Sequence, residues 1–397
     1  MTDTSTWATA VAAYGLGPPH EVLSGGPVDE STWPRLLELA RNQRLVGLVR
    51  SAAQDGVLAL SANQWTRLEQ VHNDVVEETA RAELSTASIS GFLEEAGIDS
   101  RLLKGPAFAH LDYRSPAIRP FVEANLLVRS SQFVEAISLL KQRGFNRTHA
   151  EPAPGFDSRF RKGSILTSDS GERVEVHRTI ADGPYAMIVE HSELFRNSSE
   201  IRVAGKDLLT LGAEERLLHA CFEARVGDTR PLLIRLRDIV QIVLTHDLDI
   251  GRIEALSGTW GAQSLVAEAI DRAWNLLGVT DIVPLSAWAA KHPTSRKERR
   301  RLLAYHTARS RTLISVQTLG SIRPRRAVVS YLKTVALPDR AYLEGYYSGH
   351  FSRWWNVMRS MNSIGTKQRP ARDRLAHASE DELVELAWGL ARNPSPA

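Results

Sequence analysis

Three short stretches of this chain carry residue types that can do chemistry together. The first is Leu102-Leu103-Lys104-Gly105-Pro106, which reads as the end of a strand and the start of a helix. Glycine lets the backbone come close to a ligand, and proline suits the first helical turn. The free N–H groups of such a turn, with the helix dipole, form a phosphate site, to which Lys104 adds a positive charge. The second stretch is Glu123-Ala124-Asn125 inside the run 122–128. Strand alternation puts Glu123, Asn125 and Leu127 on one face and Val122, Ala124, Leu126 and Val128 on the other. Two oxygen-bearing side chains so spaced can converge on a hard cation such as Mg²⁺, which prefers carboxylate oxygens and bound phosphate. The third is Arg173-Val174-Glu175-Val176-His177, where Arg173, Glu175 and His177 share a face and a second carboxylate would complete a metal cluster. Taken singly, each stretch also reads as ordinary structure: a strand-to-helix turn, the polar face of a half-buried strand, and an amphipathic hairpin strand.

The elements around these residues define four regions. Residues 1–97 read as helical. Thr32 and Pro34 supply a cap and an early-turn proline before a stripe of Leu36, Leu37, Leu45, Leu48 and Val49. A second long pattern runs from Ser61 to Ala96, with Leu68, Val71, Val75, Ile89 and Leu93 inward, and stops at Gly97. Residues 98–205 alternate strand, helix, strand, helix and a hairpin: 100–103, a short helix to about Tyr113, 122–128, an amphipathic helix capped by Ser130 or Ser131 and ended by Gly144, then 156–167 and 173–177 around the turn at 168–171. That order predicts an α+β fold, with a small mixed-sheet core flanked by helical regions. Residues 206–290 return to helical periodicity. Residues 291–397 form a basic and aromatic-rich helical region with a polar break at 365–373 and a last helix opened by Ser379 and Glu382 as a capping box.

Composition excludes several classes. Of 397 residues, 43% are hydrophobic and 24% charged, an ordinary globular balance. The single cysteine, Cys221, excludes an internal disulfide framework and a Cys-rich zinc site. No run approaches 18 apolar residues, and no positive segment precedes the first apolar run, so a cytoplasmic protein with no membrane partner is expected. The net charge of +3 hides an asymmetry: 291–326 holds eleven Lys/Arg and one acid, Glu298, and the rest is mildly acidic. The basic segment can meet nucleic acid or an acidic peptide, and it also reads as a solvated helix face. Arg159, Arg161 and Lys162 can contact a triphosphate or form a charged edge. His219 reads as a core histidine, and Arg235 with Asp238 as an i,i+3 ion pair.

The run LLKGPAFAHLDYRSPAIRPFVEANLLV, followed by Gly144-Phe145 and VEVHR, resembles the uncharacterised nucleotidyltransferase family of the polymerase-β-like superfamily. The resemblance spans roughly residues 30–285. It implies that Lys104 and Gly105 stand at the phosphate-binding turn and Arg119 at a basic position before the metal strand. It places Glu123, Asn125 and Glu175 where the family carries three metal-binding aspartates, with Glu123 and Glu175 catalytic and His177 following. The implied activity is Mg²⁺-dependent transfer of a nucleoside monophosphate from an NTP to an unknown small-molecule, peptide or protein acceptor. Here the triad reads Glu/Asn/Glu, two carboxylates where the family has three. The alternative is therefore a pseudoenzyme that uses the same fold as a binding or accessory module. A third reading is an RNA-binding or RNA-end-modifying protein that uses 291–326.

Overall fold

The period-two alternation of 124–128 and 173–177 resolves into the centre of a mixed sheet. The coordinates are a computed structural model, and the structure describes residues 4–18, 21–24, 26, 28–227, 232–306 and 311–342. The strands are β1 (Ser100–Leu102), β2 (Ala124–Val128), β3 (Phe145–Arg147), β4 (Gly163–Ser168), β5 (Arg173–His177), β6 (Ser198–Val203) and β7 (Lys206–Leu211). They form one seven-stranded sheet in the order β3-β4-β5-β2-β1-β7-β6. β2 runs parallel to β5, with Asn125 opposite Glu175 and Leu127 opposite His177. β1 lies antiparallel to β2 and parallel to β7. The fold is α+β, as the element order predicts.

Alternation decides which face packs. Ala124, Leu126 and Val128 of β2 and Val174 and Val176 of β5 are buried in one apolar core with Phe133, Ile137 and Leu140 of the helix Phe133–Gln142. The opposite face carries Asn125, Glu175 and His177. The helix Ala62–Glu95, 34 residues long, joins two cores. Its Ile89 and Leu93 pack under the sheet. Its Leu68 and Val75 pack in a second core shared by N-terminal residues such as Trp7 and Val11 and by Ile239, Val240, Val266 and Ile270 of the helices Leu233–Thr245 and Gln263–Leu277. Residues from 1–97 and from 206–290 therefore bury one another. The described residues up to Tyr342 belong to one compact unit.

Several local expectations shift. The single helix expected after Pro34 is two, Trp33–Asn42 and Val46–Gln54, separated where Arg44 takes a positive φ of 59° and buries Leu45 behind it. Thr32 does not cap with its own side chain; Asp29 accepts from the Thr32 N–H and hydroxyl. The helix expected to be capped by Ser130 or Ser131 has Gln132 at that position, with no side-chain cap bond. The stretch 156–167 is not one strand: a short helix, Asp157–Phe160, precedes β4. β3, β6, β7 and the helix Ile250–Thr259 were not expected, and the sheet continues past 205 to Leu211.

The basic segment contributes the helix Arg296–His306. Its inward residues tie it down: the Glu298 carboxylate accepts the Ser264 N–H at 2.8 Å, Arg301 donates to the Gly261 carbonyl at 3.1 Å, and Tyr305 donates to the Asp182 carbonyl at 2.5 Å. Arg296, Lys297, Arg299 and Arg300 face solvent. No helix among the described residues is long and apolar enough to cross a membrane. Arg309, the aromatics from Tyr346 to Trp355, the polar break and the Ser379–Glu382 capping box lie outside the described residues.

Candidate functional site

The parallel register of β2 and β5 sets the site. With Ala124 opposite Val174, Glu123 stands one step before β2, level with Arg173. The Arg173 Nε meets Glu123 Oε2 at 3.0 Å. Two residues on, the same face carries Asn125 beside Glu175, and His177 bridges them: its Nε2 lies 3.1 Å from Asn125 Oδ1 and 3.2 Å from Glu175 Oε2. Both carboxylate positions that the sequence assigns to metal are thus beside basic groups. The Asn125 amide oxygen faces an imidazole.

The tertiary structure adds two residues to this centre. Glu223, on the helix Ala213–Val226, and Lys162, just before β4, close it. Lys104 Nζ lies 3.1 Å from Glu175 Oε2 and 3.5 Å from Glu223 Oε2. Lys162 Nζ lies 3.1 Å from Glu175 Oε1 and 3.5 Å from Glu223 Oε1. Each ammonium therefore bridges the two carboxylates, one on each pair of oxygens. All four side chains are largely buried. His219 stands behind Glu223, with its Nε2 3.8 Å from Oε1.

The charges follow from this geometry. Burial alone would raise the Glu175 carboxyl; His177, Lys104 and Lys162 outweigh it and hold the group well below the usual carboxylate range. Glu223 is held low in the same way, against burial, by Lys104, Lys162 and His219. Burial works against the Lys162 ammonium, but Glu175, Glu223 and Asp182 keep its value above that of an ordinary lysine. His177 goes the other way: burial pushes it down to about 4 despite Glu175, and its Nδ1 has no hydrogen-bond partner. His219 is also lowered by burial, as a core histidine, and neither ring nitrogen has a hydrogen-bond partner.

Lys104 reaches the centre from an unusual backbone. Its φ of 53° and ψ of −122° lie where a side chain is seldom tolerated, a strain of about 1–3 kcal/mol. The turn leads into the helix Gly105–Leu111, seven residues long. Gly105 is required by packing: a Cβ there would stand 2.4 Å from the Phe121 Cβ. What approaches this backbone closely is thus the Phe121 ring.

Arg119 is not brought to the centre. It is buried and pairs with Asp238 through two bonds, Nε to Oδ1 at 3.1 Å and Nη2 to Oδ2 at 2.7 Å. Tyr113 donates to the same Asp238 oxygen at 2.8 Å. Asp238, expected to pair with Arg235 along its helix, faces Arg119 and Tyr113 instead. No sequence signal marks Glu223, which lies inside a helix whose charged and apolar residues alternate without a one-sided pattern. Lys162 was visible as a basic residue before the hairpin, but its direction was not.

Tested against Mg²⁺, this donor set does not fit. Glu123 is turned to Arg173, Asn125 to His177, and both Glu175 oxygens face ammonium nitrogens. Among the described residues no group of three or more His, Cys, Asp or Glu side chains is arranged to hold a metal. Beside the quartet lies a cavity of about 170 Å³ lined in part by Lys162, Glu175, Asp182 and Glu223.

The centre thus lies on one face of the mixed sheet, beside the strand, turn and helix at 100–111. Residues 29–278 match the uncharacterised nucleotidyltransferase family, and the chain belongs to that family. Among solved structures, the crystal structure of an antigenic nucleotidyltransferase-like protein from Paracoccidioides brasiliensis aligns at 16% identity with a TM-score of 0.31, covering 50% of this chain and 92% of that one. No curated protein matches the chain.

Proposed function

We propose that this chain is a nucleotidyltransferase-family member that has exchanged its metal centre for a lysine–carboxylate quartet and works as a binding or accessory module. One observation carries the reading: Lys104 and Lys162 each bridge Glu175 and Glu223. Two fixed ammonium groups supply the positive charge that the carboxylates would otherwise take from divalent ions. Unlike an ion, a tethered ammonium offers no open coordination position to a phosphate oxygen or an acceptor hydroxyl. The Glu/Asn/Glu triad supports the same reading, since ligand charge sets affinity for a hard cation.

The competing reading is Mg²⁺-dependent transfer of a nucleoside monophosphate from an NTP to an unknown acceptor. It requires both lysines to leave the carboxylates. The test is incubation of the full chain with labelled NTPs, Mg²⁺ or Mn²⁺ and candidate hydroxyl acceptors, beside a Mn²⁺ titration followed by electron paramagnetic resonance. The expected result is neither label transfer nor stoichiometric Mn²⁺ binding. Mn²⁺-dependent transfer that Glu175→Gln abolishes would overturn the proposal in favour of the active enzyme.

A further inference from the structure

The helix Arg325–Ala336 packs by one side only. Tyr331 and Thr334 are buried, and Ala327 and Val328 pack in the same small core as Phe156 and Phe160. The Tyr331 ring lies 5.6 Å from that of Phe156 and 5.1 Å from that of Phe160. Val329, Leu332 and Val335 recur at i, i+3 and i+6, which puts them together on another stripe of the helix. They are 69%, 47% and 39% exposed, and Leu337, just past the helix, is 70% exposed. Single exposed apolar residues are ordinary on a protein surface. Here four of the thirteen exposed large hydrophobics among the described residues fall within 329–337, so they make a patch rather than a scatter.

Positive charge borders this stripe. Arg326 and Lys333, three residues before and four after Val329, share an adjoining row, and both are exposed. Arg323 is exposed in the turn before the helix. Arg159 is exposed beside the same small core, its guanidinium 5.2 Å from the centre of the Phe160 ring. The exposed carboxylate near them is Asp339, whose N–H donates to the Pro152 carbonyl at 2.7 Å. Asp157 is buried and accepts from Arg147 and Ser164, and Glu151 faces Arg147. Among the described residues the patch therefore shows four exposed cations and one exposed carboxylate.

We infer that this face docks on the surface of an anionic phospholipid bilayer, with Val329, Leu332 and Val335 at the acyl boundary and Arg326 and Lys333 among the headgroup phosphates. Charge complementarity selects this occupant. A second copy of the chain in a two-fold contact would set the same cations against one another. Single-stranded nucleic acid is held by aromatic platforms, and this stripe is aliphatic. The exposed side of one helix is a convex ridge, so an acidic protein would have to supply a groove for it, whereas a lipid interface takes an amphipathic helix lying flat and attracts Lys and Arg by its own negative potential. The sequence expectation of no membrane partner rests on the absence of a spanning run, which a helix lying in the interface does not need. The inference is independent of the lysine–carboxylate quartet.

The test is flotation of the full chain with vesicles of equal parts phosphatidylcholine and phosphatidylglycerol, beside vesicles of phosphatidylcholine alone. Binding to the anionic vesicles that falls about tenfold or more on the neutral ones is expected. Val329→Ser with Leu332→Ser should weaken it about tenfold or more by removing apolar contact, and Arg326→Gln with Lys333→Gln should do the same by removing charge. All four positions are exposed, so an unchanged melting temperature shows that these variants still fold. Absence of binding, or equal binding to both kinds of vesicle, would overturn the inference. So would binding that the charge variants weaken and the apolar variants leave unchanged, together with equally tight binding of poly-glutamate or an RNA oligomer, which marks a soluble polyanion as the partner. Sedimentation velocity that shows a dimer abolished by Val329→Ser with Leu332→Ser would assign the face to a second copy and overturn it too.

Discussion

Replacing Lys162 by Met tests the quartet directly. Met keeps the length of the stem and removes the charge. Lys162 Nζ stands 3.1 Å from Glu175 and 3.5 Å from Glu223. At an effective dielectric constant of about 20, each contact carries about 5 kcal/mol of Coulomb attraction. Several kcal/mol of that is offset by the cost of burying the ammonium. Removing one partner, however, leaves Glu175 and Glu223 to share Lys104 alone, and an uncompensated buried charge costs about 3–5 kcal/mol. Urea unfolding at pH 7 should register a loss of that size.

The pH dependence has a definite sign. Glu175 and Glu223 sit well below their ordinary value of 4.5, so their contribution is present above about pH 4.5 and is lost as pH falls through the folded values. Lys162 is raised above 10.5, so its contribution is present below that value and is lost only as pH rises past it. The gap between wild type and Lys162→Met should therefore be widest near neutrality and should narrow below about pH 4.5, where the variant can protonate a carboxylate. Adding Glu223→Gln restores a one-to-one pair of Lys104 with Glu175, and the double variant should recover more than half of the loss, a coupling expected of groups in contact. A single-variant loss under about 1 kcal/mol, or a double variant no better than the single, would refute the reading of the four groups as one unit.

Other outcomes follow from the same geometry. Arg119→Met should cost about 3–5 kcal/mol in urea unfolding, because it strands the buried Asp238 carboxylate; a loss below that of an exposed pair would mean that Asp238 has found another partner. Gly105→Ala should cost about 1–3 kcal/mol in urea unfolding by overpacking against the Phe121 Cβ and Cγ; a loss under about 0.5 kcal/mol, the range of an ordinary surface change, would show that Phe121 can give way. Of two variants that both remove the Lys104 charge, Lys104→Gly should melt higher than Lys104→Ala, since only Gly relaxes the positive φ of 53°; equal melting temperatures would show that the turn is unstrained.

Much of the centre was legible in the sequence because it depends on local rules. Alternation alone places Glu123 with Asn125 on one face of their strand, and Glu175 with His177 on one face of theirs; the structure keeps both pairings and turns them to the same side of the sheet. Lys104-Gly105-Pro106 reads as a turn into a helix and is one. Gly97 and Gly144 end the two helices they were expected to end, each at positive φ. Leu68, Ile89 and Leu93 face inward as their spacing requires. The family follows from the same local strings, since the motif order KG, EAN and VEVH is itself a sequence feature.

What only the tertiary structure decided is which charges meet. Arg173 faces Glu123 because β2 and β5 pair in parallel at one register, and register is a property of two strands. Arg119 takes Asp238, 119 residues away, because burying a guanidinium demands a carboxylate wherever the packed helices bring one. Glu223 enters from a helix that the sequence marks only as helical, and Lys162 turns inward where its string suggests an exposed edge. Local spacing fixes the face on which a side chain stands. The burial of a charge beside its counter-charge is settled by the whole fold, since only there does the cost of desolvation select the partner.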